Sequence, residues 1–311
     1  MKTAFIFPGQ GAQVVGMGKE FYDTNEISKK YIDKANEVLD FDLIETLFTE
    51  NDRINQTEYT QSALLATSLS IYYAMEARGL KCDVCAGLSL GEYGALVVSK
   101  AMGFEDAIKL VRKRGIYMAS EVPAGKGAMA AVIGLDSDKI EEVIKDIDDV
   151  TIANYNCPGQ IVISGKIDAV EKANEALTNA GARRTVMLNV SGPFHSKMLT
   201  GAGEKLAQEL KNVEIKKPEI PYVTNVDASY VTEETSIKEL LKEQVSSSVM
   251  WIQSVENMID DGVDTFVEIG PNKTLTSFVK KIAKAKGVEV NVYNIEKPED
   301  MEKYIEEVQN A

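Results

Sequence analysis

The pentapeptide Gly87-Leu88-Ser89-Leu90-Gly91 constrains the fold of this chain more than any other segment. An apolar run, Cys82–Ala86, precedes it, and a helical pattern, Leu90–Val98, follows it. A serine with a glycine two residues to either side is typical of a sharp strand-to-helix turn, because a Cβ at either glycine would collide with neighbouring atoms. Such a turn exposes Oγ at the N-terminus of the helix, where unpaired N–H groups favour developing negative charge. Ser89 is therefore predicted to be a nucleophile.

The chain contains a single histidine, His195, which lies in the Gly-Pro loop Ser191–Ser196 after a predicted strand. A serine nucleophile needs a neighbouring base, and histidine is the usual one near neutral pH. His195 is therefore predicted to be the general base, although a lysine base is an alternative that the sequence leaves open. No acidic residue is singled out as a third member, because a backbone carbonyl can also orient an imidazole.

Strand, turn and helix patterns alternate along most of the chain, which predicts a mostly parallel sheet covered by helices. The predicted strands are Thr3–Phe7, Val84–Ala86 and Thr265–Ile269. The predicted helices are Glu26–Leu39, Ser62–Arg78, Leu90–Val98, Phe104–Glu121 and Thr274–Ala285.

The middle of the chain has a different element order. Its predicted elements are, in turn, a strand, a helix, two strands, a helix and a strand: Ala128–Leu135, Asp138–Ile147, Val150–Tyr155, Gln160–Ser164, Ala169–Ala180 and Arg184–Val190. The order βαββαβ is that of a ferredoxin-like unit. We therefore expect an α/β protein in which a ferredoxin-like small domain, residues 126–196, is inserted into a larger α/β-hydrolase-like domain with a parallel sheet, residues 1–125 and 197–311.

The charge balance narrows the function classes. Acidic residues outnumber basic ones 48 to 34 among the 311 residues, for a net charge of −14, which argues against general nucleic-acid binding because that needs a basic face. No stretch reaches the roughly 18 apolar residues of a membrane span, and the first apolar run stops too early for a secretory signal. We expect a cytoplasmic protein with no membrane partner. The three cysteines, Cys82, Cys85 and Cys157, are expected to be reduced, and no metal site is predicted.

Several segments of the chain together form a recognisable pattern. They are Phe7–Gln13, Tyr59–Leu64, Ser89–Leu96, Arg114-Gly115, Gly127–Ala131, Asn156–Gln160, Phe194–Ser196 and Glu268–Pro271. In their order and spacing these segments resemble the bacterial malonyl-CoA:acyl-carrier-protein transacylases over nearly the whole chain. None of these motifs is specific for the family by itself, but the whole set in this order is.

The resemblance implies roles for the reacting groups. Ser89 would be acylated by malonyl-CoA, and His195 would activate it. The backbone N–H groups of Gln10 and Leu90 would form an oxyanion hole, which suits a glycine turn after a strand and the residue after the nucleophile. Arg114 would bind the free carboxylate of malonate, because a planar guanidinium offers two parallel hydrogen bonds.

The resemblance also implies a set of supporting residues. Gln244 matches the position whose backbone carbonyl accepts from the histidine, and Asn156 and Gln61 match positions near the site. Phe194 resembles the bulky residue that restricts α-branched substrates in related acyltransferases. Two positions depart from the family pattern: Leu88 stands where histidine is common, and Ser62 where proline is usual.

A ping-pong transfer follows from the resemblance, with a malonyl-serine intermediate, in fatty-acid biosynthesis and without a cofactor other than the coenzyme A thioester substrate. The partner would be acyl carrier protein, and the enzyme is expected to be a monomer. Since the carrier is acidic, docking needs local positive charge. The candidates are Lys280, Lys281, Lys284, Arg183 and Arg184, although a merely solvated helix face explains them equally well.

Two other functions remain possible interpretations of the sequence. The same Ser-His dyad would serve an acyl-CoA thioesterase or esterase, or a trans-acting polyketide-type acyltransferase. A nucleotide-binding protein is disfavoured, because the glycine loop Gly9–Gly18 lacks the third glycine of a dinucleotide fingerprint and has Met17 where a phosphate loop requires lysine.

Overall fold

The computed structural model describes residues 1–309 of the chain. Ten strands are found in this range: β1 (Thr3–Phe7), β2 (Val84–Gly87), β3 (Gly127–Ile133), β4 (Val150–Cys157), β5 (Gln160–Lys166), β6 (Arg184–Met187), β7 (Tyr222–Val223), β8 (Tyr230–Val231), β9 (Thr265–Ile269) and β10 (Asn291–Ile295). The α-helices of the same range are α1 (Lys19–Thr24), α2 (Glu26–Val38), α3 (Leu43–Phe48), α4 (Thr57–Ala77), α5 (Gly91–Val98), α6 (Phe104–Ser120), α7 (Ser137–Ile144), α8 (Ile167–Asn179), α9 (Thr200–Leu210), α10 (Ile237–Gln244), α11 (Trp251–Asp260), α12 (Thr274–Lys286) and α13 (Pro298–Gln309).

The larger sheet has the strand order β10-β9-β1-β2-β7-β8. Its neighbours are parallel except for the antiparallel pair β7 and β8. Strand β1 is buried along its whole length, because helices cover both faces of a parallel sheet. Phe5 and Phe7 pack into the apolar cluster on one face, and Ala4 and Ile6 pack on the other face against the cluster that contains Trp251. The predicted mixed α/β fold with a parallel sheet is confirmed.

The smaller sheet is antiparallel, with the strand order β4-β5-β3-β6. Helix α7 connects β3 to β4, and helix α8 connects β5 to β6. Ile140 of α7 and Leu177 of α8 share an apolar cluster with Val132 and Ile163 of the sheet. The edge strand β4 is tied to the rest of the chain by Val249, whose N–H donates to the Ala153 carbonyl at 2.8 Å.

Three predicted boundaries are wrong by three residues or more. Helix α7 ends at Ile144 rather than at Ile147. Helix α4 begins at Thr57 rather than at Ser62, because its first turn buries polar groups that apolar spacing does not reveal. The Thr60 hydroxyl, for example, donates to the Ile54 carbonyl at 2.7 Å. Strand β6 ends at Met187 rather than at Val190, because its ladder with β3 ends at the pair Met187–Ala130.

No α-helix within residues 1–309 combines the length and the apolar character needed to cross a membrane. The carboxyl ends of β1, β2 and β9 meet at one edge of the larger sheet, because these strands are parallel neighbours. In open parallel sheets, ligand sites form at this edge. The loop after β1, the turn at Ser89 and the loop after β9 all leave the sheet there.

Candidate active site

Ser89 occupies the sharp turn between β2 and α5, with a φ of 52° in the left-handed region. A Cβ added at Gly87 would lie 1.9 Å from the carbonyl carbon of Gly91, and a Cβ added at Gly91 would lie 2.0 Å from the carbonyl oxygen of Phe7. Both positions therefore require glycine, which is the physical reason for the spacing of the pentapeptide. The turn is the strand-to-helix elbow that this spacing predicts.

His195 lies beside the nucleophile although it is distant in sequence. Its Nε2 is 2.7 Å from Ser89 Oγ. Its Nδ1 faces two carbonyl oxygens, those of Gln244 at 2.9 Å and Ser247 at 3.2 Å. Because carbonyls only accept, the ring proton belongs on Nδ1, and Nε2 is free to accept the Ser89 hydroxyl proton.

The environment of His195 keeps its imidazole neutral. Burial lowers the pKa of His195 to about 4, and the positive charge of Arg114 acts in the same direction. The hydrogen bonds to the Gln244 and Ser247 carbonyls oppose this effect and are the smaller contribution. The imidazole can therefore accept a proton from Ser89 at neutral pH.

Arg114, on α6, places a buried cation next to the nucleophile, with 1% of its surface exposed. One terminal nitrogen donates to Gln61 Oε1 at 2.7 Å. The other donates to Gln244 Oε1 at 3.0 Å and to Ser89 Oγ at 3.0 Å. Its guanidinium also lies over the Tyr93 ring, 5.5 Å from the ring centroid. A guanidinium held in this way is oriented before any ligand arrives.

The pocket at this edge has a volume of about 310 Å³. Eight of the predicted site residues line it: Gln10, Gln61, Ser89, Leu90, Arg114, Asn156, Phe194 and His195. The ninth, Gln244, lies behind the wall, where it contacts both His195 and Arg114. The remaining lining is mainly apolar and includes Met129 and Val162 of the smaller sheet and Phe278 of α12.

The loop after β1 faces the elbow across the pocket. The Gln10 side chain donates to the Thr57 hydroxyl at 2.9 Å, which anchors the loop to the start of α4. Gly9 approaches the elbow so closely that a Cβ there would lie 2.5 Å from the carbonyl oxygen of Leu88. Leu88 itself lines the pocket and packs against the apolar cluster that contains Phe278. An apolar side chain therefore stands at the position where the resemblance noted above implies histidine.

Two residues beside the elbow, Asn225 and Glu92, contact the site but were not among the site residues predicted from the sequence. Asn225 follows β7; its Oδ1 accepts from the Ser89 backbone N–H at 2.5 Å, and its Nδ2 donates to the Gly87 carbonyl at 2.7 Å. Glu92, in the first turn of α5, is fully buried. The only sequence feature that could have indicated Asn225 is its position just after a strand. Nothing in the sequence indicates that this strand lies next to the one that precedes Ser89, which is 136 residues away.

Burial raises the pKa of Glu92 to about 7. Hydrogen bonds from Gln244 and from the Asn225 backbone N–H act in the opposite direction, as does the positive charge of Arg114. The carboxylate also sits in the first turn of α5, where the helix dipole favours negative charge.

The basic residues proposed for docking lie outside the pocket. Lys280, Lys281 and Lys284 are exposed on α12, and Arg183 and Arg184 are exposed at the start of β6. Within residues 1–309, no group of three or more His, Cys, Asp or Glu side chains is arranged to hold a metal ion.

Comparison with known proteins gives concordant matches. A family model described as the acyl transferase domain matches residues 4–304. The malonyl CoA-acyl carrier protein transacylase of Bacillus subtilis is 44% identical over 286 residues, which cover 90% of each chain. The crystal structure of malonyl CoA-acyl carrier protein transacylase from Clostridium perfringens matches with a TM-score of 0.95 and 44% identity, over 100% of this chain and 98% of that one. A malonyl-transacylase solved in complex with a type II polyketide synthase acyl-carrier protein matches with a TM-score of 0.94 and 35% identity, over 99% of this chain and 100% of that one.

Proposed function

The chain belongs to the acyl transferase domain family and is an acyltransferase of the malonyl-CoA:acyl-carrier-protein transacylase type, and we propose that Ser89 carries the malonyl group between coenzyme A and the carrier. The donor is malonyl-CoA, the acceptor is the phosphopantetheine thiol of acyl carrier protein, and the product enters fatty-acid biosynthesis. The observation that carries the residue assignment is the buried guanidinium of Arg114, 3.0 Å from Ser89 Oγ.

The cation explains why the acyl group is malonyl. A malonyl group differs from other short acyl groups by its free carboxylate, and burying a carboxylate without a partner is costly. Arg114 is already buried and held by Gln61 and Gln244, so the partner for that carboxylate is in place before the substrate binds. Phe194 lines the same pocket, and its ring limits the room for an α-branched acyl group.

In the first half of the reaction, Ser89 Oγ attacks the thioester carbonyl and its proton passes to His195 Nε2. The Nδ1–H remains on the Gln244 carbonyl, which stabilises the imidazolium as it forms. Collapse of the tetrahedral intermediate breaks the C–S bond, and His195 Nε2 returns the proton to the coenzyme A sulfur. Malonyl-Ser89 remains.

In the second half, His195 Nε2 takes the proton of the carrier thiol, and the sulfur attacks the malonyl ester. The C–O bond to Ser89 then breaks, and Ser89 Oγ recovers the proton. In both halves the negative oxygen would lie between the backbone N–H groups of Gln10 and Leu90, both of which line the pocket. Asn156 lines the same wall and supports the acyl group there.

We further propose that residues 126–196 form a ferredoxin-like small domain inserted into a larger α/β-hydrolase-like domain of residues 1–125 and 197–311. The strand order of the smaller sheet and the two helices on it support this division. The pocket then lies between the domains, with Met129 and Val162 on one side and Phe278 on the other. Because one chain supplies every residue of the proposed site, we expect the active unit to be a monomer.

Carrier docking is proposed at the exposed basic residues outside the pocket. Thr274 and Phe278 of α12 line the pocket, and Lys281 follows on the same helical face because residues three and four apart are neighbours. The positive end of that face would meet the acidic carrier while its thiol reaches Ser89. Lys280 and Lys284 extend this surface, and Arg183 and Arg184 would add to it from the small domain.

Intact-mass measurement tests the proposal. The wild-type protein mixed with malonyl-CoA should gain one malonyl group, and Ser89→Ala should gain none. Adding acyl carrier protein that bears phosphopantetheine should discharge the adduct onto the carrier faster than buffer alone does. An adduct that is lost to water at the same rate with and without carrier would instead identify a thioesterase. Comparing carriers from fatty-acid and polyketide synthesis would identify the acceptor.

A further inference from the structure

The carboxylate of Glu92 is the centre of a buried hydrogen-bond network beneath the nucleophile. Its Oε2 accepts from Gln244 Nε2 at 2.6 Å and from the Asn225 backbone N–H at 3.1 Å. The side chain has no exposed surface. A buried ionisable group of this kind is retained only where its partners hold it, and here both partners contact the proposed catalytic groups.

Gln244 connects this carboxylate to the two groups that act on the substrate. Its Nε2 donates to Glu92 and to the Ser89 carbonyl, at 2.6 and 2.9 Å. Its Oε1 therefore points the other way and accepts from Arg114 at 3.0 Å. An amide has one accepting end and one donating end, whereas the Glu92 carboxylate and the Ser89 carbonyl only accept, so these two groups together determine which end of the Gln244 amide faces Arg114.

Asn225 extends the network to the elbow. Its backbone N–H donates to Glu92, while its side chain accepts from the Ser89 N–H and donates to the Gly87 carbonyl. The segment that holds the elbow in its left-handed conformation is thereby tied to the same carboxylate.

We propose that Glu92 is a positioning residue: together with the Ser89 carbonyl, its carboxylate orients the Gln244 amide, and that amide presents an oxygen to Arg114 so that the guanidinium is set for the acyl carboxylate. This inference rests on the proposed malonyl transfer. Glu92 does not touch the substrate; it acts through Gln244 and Arg114, and its effect is therefore on the selectivity for malonyl.

The variant Glu92→Gln tests the orienting effect with little change in shape. A glutamine at this position can present either an oxygen or an NH₂ group to Gln244, so only the Ser89 carbonyl would still favour the native orientation of the Gln244 amide. Some molecules would then present NH₂ to Arg114, which displaces the guanidinium. We expect the ratio of kcat/KM for malonyl-CoA to that for acetyl-CoA to fall by about tenfold, the effect of weakening one charge-assisted hydrogen bond.

Glu268→Gln is the matched control. Glu268 is also fully buried and also accepts two hydrogen bonds, from the N–H groups of Leu275 and Thr276 at 3.1 and 2.8 Å, but it contacts neither Gln244 nor Arg114. This variant should keep the wild-type ratio even if its melting temperature falls. An equal fall in both variants would overturn the inference, because loosening of the protein would then explain it. A wild-type ratio in Glu92→Gln would also overturn it and leave Glu92 a purely structural role.

Gln244→Met provides a second route if Glu92→Gln does not fold. It removes the amide but keeps the backbone carbonyl that accepts from His195. The malonyl-to-acetyl ratio should again fall about tenfold, and an unchanged ratio would refute the inference. A wild-type protein that forms no malonyl adduct would overturn the proposed function itself. A wild-type protein that forms the adduct, together with variants of unaltered selectivity, would overturn only the role of Glu92.

Discussion

Replacing Arg114 by methionine should remove the preference for malonyl-CoA while leaving the nucleophile and base in place. A guanidinium has five N–H donors, and three of them donate to Gln61, Gln244 and Ser89. Of the other two, the Nε–H is buried without a partner among residues 1–309. A malonyl carboxylate that accepts two hydrogen bonds from this cation would gain about 4 kcal/mol, so kcat/KM for malonyl-CoA should fall roughly a thousandfold when the cation is removed.

The same substitution should not impair an uncharged acyl group. Acetyl-CoA brings no carboxylate to position 114, so its kcat/KM should stay constant or rise. Removing the cation also removes a charge that lowers the pKa of His195, which makes the base stronger. Arg114→Lys should be intermediate, because lysine keeps the charge but not the paired donors.

The assay is acyl-enzyme formation from malonyl-CoA and acetyl-CoA, followed by rapid quench and intact mass. Methionine suits the test because it retains much of the length of the arginine stem, although the Gln61 and Gln244 oxygens each lose a donor at a cost of about 1–3 kcal/mol. This cost is offset in part because a charge no longer has to be buried. Circular dichroism must show a folded protein. Malonyl kinetics unchanged in a folded Arg114→Met would refute the assignment.

Three further predictions concern the base, the elbow and the carrier surface. Because the neutral form of His195 is active and its pKa is lowered to about 4, kcat/KM for acylation by acetyl-CoA, which brings no carboxylate to Arg114, should stay constant as pH falls below 6.5 and decline only towards about 4. A decline that begins at pH 6.5 or above would contradict this. Gly91→Ala should destabilise the protein by about 3 kcal/mol or prevent folding, since its Cβ would meet a carbonyl oxygen at 2.0 Å. Gly103→Ala, whose Cβ would lie 3.6 Å from the Asp106 carboxylate, should change the free energy of unfolding by no more than about 1 kcal/mol in chemical denaturation. Lys281→Glu should raise KM for the carrier but not for malonyl-CoA, while Lys303→Glu on α13 should change neither; equal effects on both substrates would reject the docking surface.

Much of the fold was predictable because its elements are locally encoded. The apolar run of β1 and the spacing around Ser89 each predict their own structure, and β1 and β9 have the predicted bounds. The first turn of α4 was missed because the prediction relied on the spacing of apolar residues. Thr57 and Thr60 are polar, yet both are buried in a helix that is buried on nearly all sides. Local patterns do not reveal which polar residues find buried partners.

Some residues of the site could be predicted from local sequence patterns and others could not. The single histidine and the elbow serine are evident in the sequence, because each carries a chemistry that few residue types provide. Asn225 and Glu92 are common residue types without a distinctive local pattern. Their importance arises from contacts such as that between Ser89 and Asn225, which are 136 residues apart in the chain.

The sequence by itself determined the elbow at Ser89, the identity of the sole histidine and the alternation of strands and helices, since each depends on residue type and on spacing over a few positions. Only the tertiary structure decided which strands are neighbours and, through them, which side chains meet. The order of the larger sheet brings the ends of β1, β2 and β7 to one edge, and the chain beyond β6 brings His195 within 2.7 Å of Ser89 across 106 residues. The Gln244 amide likewise meets a buried carboxylate from another element, because burial leaves each polar group only the partners that the packed structure supplies.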